Sequence, residues 1–393
     1  MIPIEEAERK INEINPHSGA LPTEKVPLMN SLGRVLGQDI VSTISMPPFD
    51  KSAMDGYAVA TDDDSNKFEI MEIIAAGDVP RKTIAKGQCA KIMTGAMLPP
   101  GADKVIKREV TEEKEGFMLF TGEDKNINIC YLGEDVKPGD VVLKAGCLIR
   151  PSEVGVIASM GLNTVRVYKK PRVGIITTGS EIAAPGQPLA KGQVYNSNAY
   201  SIAAQATRTG ADIIIAGIVH DDKEHIKEKI AGLLKQTQMV LISGGVSVGD
   251  YDFVPGILKE LGVRLHFEEI AVQPGKPTVF GTWNNVLVFG LPGNPVSTYI
   301  IFEVLVKKAL YRLMGHEYTP LFLKGVMKKE FHRKRAERTF FVPVKYDNEG
   351  FVEPVEYHGS AHLAALPQAN ALLTVPMGVH EITEGSVVYV RQI

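Results

Sequence analysis

The chain has 393 residues, 44% hydrophobic and 23% charged, with a formal net charge of −3. At roughly 100–200 residues per domain this length predicts two to four domains with real cores. The near-neutral charge gives no whole-chain argument for a nucleic-acid partner or an acidic membrane surface. The local basic cluster Arg333-Lys334-Arg335 reads as a solvated loop. The three cysteines, Cys89, Cys130 and Cys147, lack CxxC spacing, which excludes a disulfide framework or a zinc site and fits a reducing compartment. The start Met1-Ile2-Pro3-Ile4-Glu5-Glu6 lacks a signal-peptide pattern, and no run of about 18 apolar residues occurs, so the expected location is the cytoplasm, with no membrane contact.

Ile4, Ala7, Ile11 and Ile14 recur at helical spacing between Pro3 and Pro16, which predicts a short amphipathic helix over 4–14. Residues 17–60 are richer in Pro and Gly, with an extended piece at 37–42. From about 41 to 140 the texture is β-like: β-prone runs at 68–74, 104–108 and 117–120 alternate with turn clusters such as Leu98-Pro99-Pro100-Gly101 and Lys137-Pro138-Gly139-Asp140. Pro151-Ser152-Glu153 opens a helix that stops at Gly161. Beyond the connector Lys169-Lys170-Pro171 the pattern changes to strands at 173–177, 211–219, 239–243, 263–267 and 286–289. Helices are expected at 198–208, 223–235, 252–261 and 295–314. Such alternation predicts a doubly wound parallel sheet covered on both faces. Short strands return at 324–331, 339–346, 351–357, 371–375 and 387–391, and 320–393 reads as a small β domain.

Ligands of a doubly wound sheet bind beyond the C-terminal strand ends. Three loops fall there: Thr177-Thr178-Gly179-Ser180-Glu181; Ser243-Gly244-Gly245-Val246-Ser247-Val248-Gly249-Asp250-Tyr251-Asp252; and Leu291-Pro292-Gly293-Asn294-Pro295-Val296-Ser297. Their glycines let backbone N–H groups approach an oxyanion, and the helix start after Pro295 adds free donors, with Asn294 expected as its cap. These features predict a phosphate-bearing ligand. Carboxylates lie in or beside these loops: Glu181, then Asp221 and Asp222 after the second strand, then Asp250 and Asp252. Acids beside anion loops make sense where Mg²⁺ lies between them and phosphate, although Asp221-Asp222 also fits a helix cap. Lys276, in Gln273-Pro274-Gly275-Lys276-Pro277, is a point charge suited to phosphate or an exposed turn residue. No P-loop, GxSxG, HExxH or GxGxxG occurs, and the nine histidines show no ligand spacing.

Outside that region stand Phe49-Asp50-Lys51-Ser52-Ala53-Met54-Asp55-Gly56-Tyr57-Ala58, then Met93-Thr94-Gly95-Ala96 and Gly133-Glu134-Asp135, each a polar turn on a β element when taken alone. Together with the three loops and Pro274-Gly275-Lys276-Pro277, in this order, they resemble the molybdopterin molybdenumtransferase family, the bacterial MoeA proteins and the gephyrin E domain. The resemblance spans essentially the whole chain.

It implies a multidomain α/β plus β fold: an inserted β domain at 41–140, a connecting domain from 21–40 and 141–168, a MoaB/Mog-like α/β molybdopterin-binding domain from 1–20 and 169–319, and a C-terminal β-barrel at 320–393. It further implies a homodimer with the active site between subunits, and contacts with the molybdopterin adenylyltransferase and molybdoenzyme chaperones. The implied reaction is Mg²⁺-dependent insertion of molybdate into adenylylated molybdopterin with release of AMP. Asp55, Thr94, Asp135, Glu181 and Asp252 would be catalytic, and Glu181, Asp221 and Asp252 would hold the metal ion. Thr178, Gly179, Ser180, Ser243, Gly244, Gly245, Val246, Ser247, Gly249, Asp250, Lys276, Pro292, Gly293, Asn294 and Pro295 would bind substrate. The chain departs from the family where arginines precede Gly-Glu-Asp (here Asn128-Ile129-Cys130-Tyr131-Leu132), and it has Gln273 and Glu269 where basic residues are common. Arg338 and Ser360 would compensate from the C-terminal domain. The alternatives are a divergent paralogue using tungstate and a molybdopterin-binding or scaffold protein.

Overall fold

Apolar strands build the centre of the larger of two units. The computed structural model describes residues 1–14, 21–247 and 252–393. The larger unit comprises 1–38, 145–151 and 164–393, and the smaller comprises 39–144 and 152–163. Strands Arg172–Thr178, Asp212–Val219, Met239–Ser243 and Val286–Leu291 run parallel within one six-stranded sheet. Successive side chains of Met239–Ser243 point to opposite faces, and both faces are covered. Met239 and Leu241 pack with Ile4, Ala7 and Ile11 of the Ile4–Ile14 helix, with Ile202 of Ser197–Arg208 and with Ile300. Val240 and Ile242 pack with Ile226 and Ile230 of Lys223–Leu234 and with Ile257 of Val254–Glu260. Each such buried aliphatic side chain contributes about 1.5–3 kcal/mol relative to exposure.

The sheet is not wholly parallel. Its order ends with Val279–Trp283 and Arg264–Phe267, both antiparallel to their neighbours. The strand Val279–Trp283 is absent from the sequence expectation. It forms a hairpin with Val286–Leu291 through Asn284, whose φ is 50°. Asn tolerates that left-handed conformation, so Asn284-Asn285 is the overlooked turn signal. The expected helix over 295–314 is observed as Pro295–Ile301, a π-helical turn Phe302–Val306 and Lys307–Leu313.

In the C-terminal region, Thr339–Tyr346, Phe351–Pro354, Phe322–Met327, Val387–Gln392 and Ala371–Val375 form a ring that closes through pairing of the first with the last. Closure removes free edges. The expected strand 324–331 ends at Met327; Phe331–His332 pairs instead with Glu381–Ile382.

The smaller unit holds a second six-stranded sheet, ordered Lys104–Lys107, Gly56–Val59, Gln88–Ile92, Lys67–Ile74, Phe117–Phe120, Thr111–Lys114. Gly56 pairs with Ile92 on one side and Lys107 on the other. A Cβ there would lie 2.1 Å from the Ile106 carbonyl oxygen, so this strand approach requires glycine. Among the described residues, no helix is long and apolar enough to cross a membrane.

Candidate active site

The C-terminal ends of the Arg172–Thr178, Met239–Ser243 and Val286–Leu291 strands open on a cleft of about 810 Å³. All three glycine-bearing loops reach it. Thr178, Gly179, Glu181, Asp221, Ser243, Gly244, Gly245, Val246, Ser247, Asp252, Pro292, Gly293, Asn294 and Pro295 line its wall.

The close fit of two loops fixes the glycine at 244. Its φ is 94°, and a Cβ would stand 2.5 Å from the Thr178 carbonyl oxygen. Any side chain would be both strained and obstructed. The resulting turn leaves the backbone N–H groups of Gly245, Val246, Ser247, Gly293 and Asn294 without a hydrogen-bond partner among the described residues. The Thr178 hydroxyl, in a residue only 4% exposed, also lacks one. Orphaned donors of this kind are costly unless a ligand or water takes them. Converging main-chain N–H groups favour an anion.

Two asparagines that the sequence reading overlooked hold the loops in place. Asn198, 8% exposed, donates from Nδ2 to Ser243 Oγ at 2.8 Å and to the Gly293 carbonyl at 2.7 Å. It thereby ties the second loop to the third. Asn196 caps the Ser197–Arg208 helix by accepting the Ala199 N–H at 3.1 Å. For Asn196 the available signal was an asparagine just ahead of an apolar helical run.

Asn294 departs from the expected cap. Its side chain makes no cap hydrogen bond and donates instead to Ser360 Oγ at 2.8 Å. Ser360 also accepts the Val296 N–H on its carbonyl at 3.0 Å. The helix start thus yields part of its donor capacity to the 360–363 segment, whose Ala361 and Leu363 line the cleft. Ser360 supports the wall from behind Asn294 rather than lining it.

Glu181, Asp221 and Asp252 share the cleft. The Glu181 carboxylate folds over Gly179, where a Cβ would meet its Oε2 at 2.5 Å. Asp221 accepts the Ser180 N–H at 3.1 Å, and Ser180 Oγ accepts the Asp221 N–H at 3.2 Å. Asp222, not Asp221, caps the next helix, through the His225 N–H at 2.8 Å. The three predicted metal carboxylates do not close on one point. Among the described residues, the His/Cys/Asp/Glu group with ligand atoms all within 4.8 Å of one another is Glu330, His332 and Glu381, at the separate two-stranded pairing of Phe331–His332 with Glu381–Ile382. Hard carboxylate oxygens suit Mg²⁺, which commonly uses one or two of them and completes its shell with water and phosphate.

Other predicted residues lie apart from the wall. Lys276 Nζ pairs with Glu269 Oε1 at 2.9 Å, so a neighbouring acid occupies this lysine. Arg338 Nη1 donates to the Val272 carbonyl at 3.4 Å. Gly249 and Asp250 lie outside the described residues.

In the smaller unit, Asp55 and Thr94 meet. Asp55 Oδ1 accepts the Thr94 N–H at 2.7 Å and the Thr94 hydroxyl at 2.6 Å. These two bonds hold the Asp55 carboxyl below the ordinary carboxylate range, the hydroxyl being the larger cause. Asp135 is not joined to them; it borders a separate hollow with Met46, Val136 and Met160.

Family models match the chain over three stretches: the MoeA N-terminal region (domain I and II) over 2–161, a probable molybdopterin binding domain over 174–312, and the MoeA C-terminal region (domain IV) over 324–393. A molybdopterin molybdenumtransferase of Staphylococcus epidermidis is 35% identical over 92% of this chain and 89% of its own length. One from Bacillus subtilis is 34% identical over 99% and 93%. The crystal structure of a molybdopterin biosynthesis moeA protein from Pyrococcus horikoshii superposes with a TM-score of 0.87 at 29% identity, covering 100% of both chains.

Proposed function

The chain belongs to the molybdopterin molybdenumtransferase family, and from that premise we propose how it works as a transferase of molybdenum cofactor biosynthesis. The cleft binds the phosphate end of adenylylated molybdopterin. The observation that carries this reading is a set of donors lining the cleft that find no partner among the described residues, namely the N–H groups of Gly245–Ser247, Gly293 and Asn294 with the Thr178 hydroxyl. Water or a molybdate oxygen attacks the anhydride phosphorus, the bridging phosphorus–oxygen bond breaks and AMP leaves; an attacking molybdate oxygen stays on phosphorus and its bond to molybdenum breaks. Two Mo–S bonds then replace Mo–O bonds, the displaced oxygens leaving as water with the dithiolene protons and molybdenum keeping its oxidation state. The preset main-chain donors stabilise the extra charge on the phosphoryl oxygens as it develops. Glu181, Asp221 and Asp252 would hold Mg²⁺, which when bound neutralises phosphate charge. Asp55, Thr94 and Asp135 shape the pterin and molybdate end.

By its family resemblance the protein acts as a homodimer, the Asp55 end of one subunit serving the cleft of the other. The four-part domain division, a cytoplasmic location, and contacts with the adenylyltransferase and molybdoenzyme chaperones belong to the same proposal. AMP release from adenylylated molybdopterin on adding molybdate, with and without a chelator, tests the chemistry. Molybdate-dependent, chelator-sensitive release is expected. Release that ignores both additions would overturn the reading. Mixing Asp55→Ala with Asp252→Ala subunits tests the dimer: activity should return to about a quarter to a half of wild type through hybrid dimers, and no recovery would place the site within one subunit.

A further inference from the structure

Among the described residues, no cation forms an ion pair with Asp55. Both Thr94 donors are taken by Asp55, leaving an ionised, exposed carboxylate. Such a group repels a dianionic oxyanion unless a positive charge stands nearby. The stretch Asn128–Leu132, which supplies Ile129 and Cys130 as partners of Ser52 and Lys51, carries no basic residue. Its polar groups are engaged elsewhere: Asn128 Nδ2 donates to the Val105 carbonyl and to Asp124, and the Tyr131 and Leu132 N–H groups go to Glu134 and Asp50.

The neighbouring cations differ in availability. Lys91 is paired with Glu113 at 2.6 Å, and Lys104 donates to the Asp124 carbonyl. Lys51 is felt at the Cys130 thiol. Arg108 is different. It follows the Lys104–Lys107 strand, whose last residue pairs with Gly56, and its own N–H donates to the Asp55 carbonyl at 3.0 Å. The main chain therefore fixes Arg108 against the Asp55 turn. Its side chain is exposed, and its guanidinium makes no hydrogen bond or ion pair with any described residue. Its charge reaches Asp55, Tyr57 and Glu113.

We propose that Arg108 is the oxyanion-binding residue of the Asp55 end, meeting molybdate with its free guanidinium. This rests on the reading that Asp55 and Thr94 face molybdate. A planar guanidinium presents paired N–H donors to two oxygens of a tetrahedral dianion, a stronger contact than a single neutral hydrogen bond. It reads charge and shape, so tungstate is held by the same contact.

The test is molybdenum insertion at fixed adenylylated molybdopterin with molybdate varied, for wild type, Arg108→Ala, Arg108→Lys and Asp55→Ala. Arg108→Ala should raise half-saturating molybdate by about tenfold or more while the rate at saturation and AMP affinity stay near wild type. Arg108→Lys should recover part of that loss. Half-saturation for tungstate should shift in parallel. Thermal unfolding of Arg108→Ala should match wild type, since the side chain bonds no described residue; Arg108→Gln serves as a second variant if it does not. Unchanged half-saturation in Arg108→Ala, with insertion lost in Asp55→Ala, would overturn the role of Arg108 and leave the site reading intact. Insertion intact in both would overturn the site reading and this inference with it.

Discussion

The cleft and the Asp55 turn are built from different materials. In the cleft the main chain lines the wall, and its donors are set by glycine geometry and by helix and strand ends. At the Asp55 turn the side chains face outward, held by one aspartate–threonine pair. A main-chain site tolerates changes that leave the loops in place but none at the glycine that shapes it. A side-chain site keeps its fold under substitution and loses its chemistry instead.

The largest effect should come from Gly244→Val. It adds left-handed strain to a 2.5 Å encounter with the Thr178 carbonyl, together about 3 kcal/mol or more. Urea unfolding should show the loss, and AMP binding should vanish. Retained AMP binding would mean that the loop is free to move.

Asn198→Ala should come next. It leaves the Gly293 carbonyl and Ser243 hydroxyl without their donor, at about 1–3 kcal/mol. Calorimetry should record weaker AMP binding along with that loss of stability. If stability falls and AMP affinity does not, the tie between the loops has no bearing on ligand binding.

A smaller, different effect is expected at the Asp55 turn. Thr94→Val removes the larger cause of the depressed Asp55 pKa. The depressed folded-state value means that stabilisation from the Thr94 bonds is present above the unfolded-state pKa and is lost as pH falls through the folded-state value. Without the hydroxyl, the acid limb of the pH–rate profile should move to higher pH, with little change in unfolding temperature. An unmoved acid limb would separate Asp55 ionisation from activity.

Lys276→Ala should do least. Its ammonium is exposed and paired with Glu269, and such pairs are worth about 0–1 kcal/mol. AMP affinity should hardly change. A tenfold loss would show that Lys276 leaves Glu269 for the ligand.

The same contrast explains what was legible in the sequence. Ser243–Ser247 and Pro292–Pro295 announced themselves because main-chain anion sites need glycines at strand ends and a proline at a helix start. Asn198 did not, because an asparagine that ties two distant loops follows no local pattern. The Ser360 segment was singled out only through the resemblance, since its approach to Asn294 is a long-range contact between separate chain segments. The strand Val279–Trp283 was missed because Asn284-Asn285 was not recognised as the turn of a hairpin leading into 286–289. Asp55 was identified by its motif, whereas Arg108 stands in an unremarkable basic run and gains meaning only when strand pairing sets it beside Asp55.

The most direct test of the account compares equilibrium binding of AMP with molybdate-dependent insertion for one variant from each region. Asn198→Ala should weaken AMP binding, whereas Thr94→Val should bind AMP as wild type does and lose insertion only on the acid limb, at a pH where wild type still inserts molybdenum. If instead Thr94→Val loses AMP binding while Asn198→Ala keeps it, the cleft is not the phosphate site.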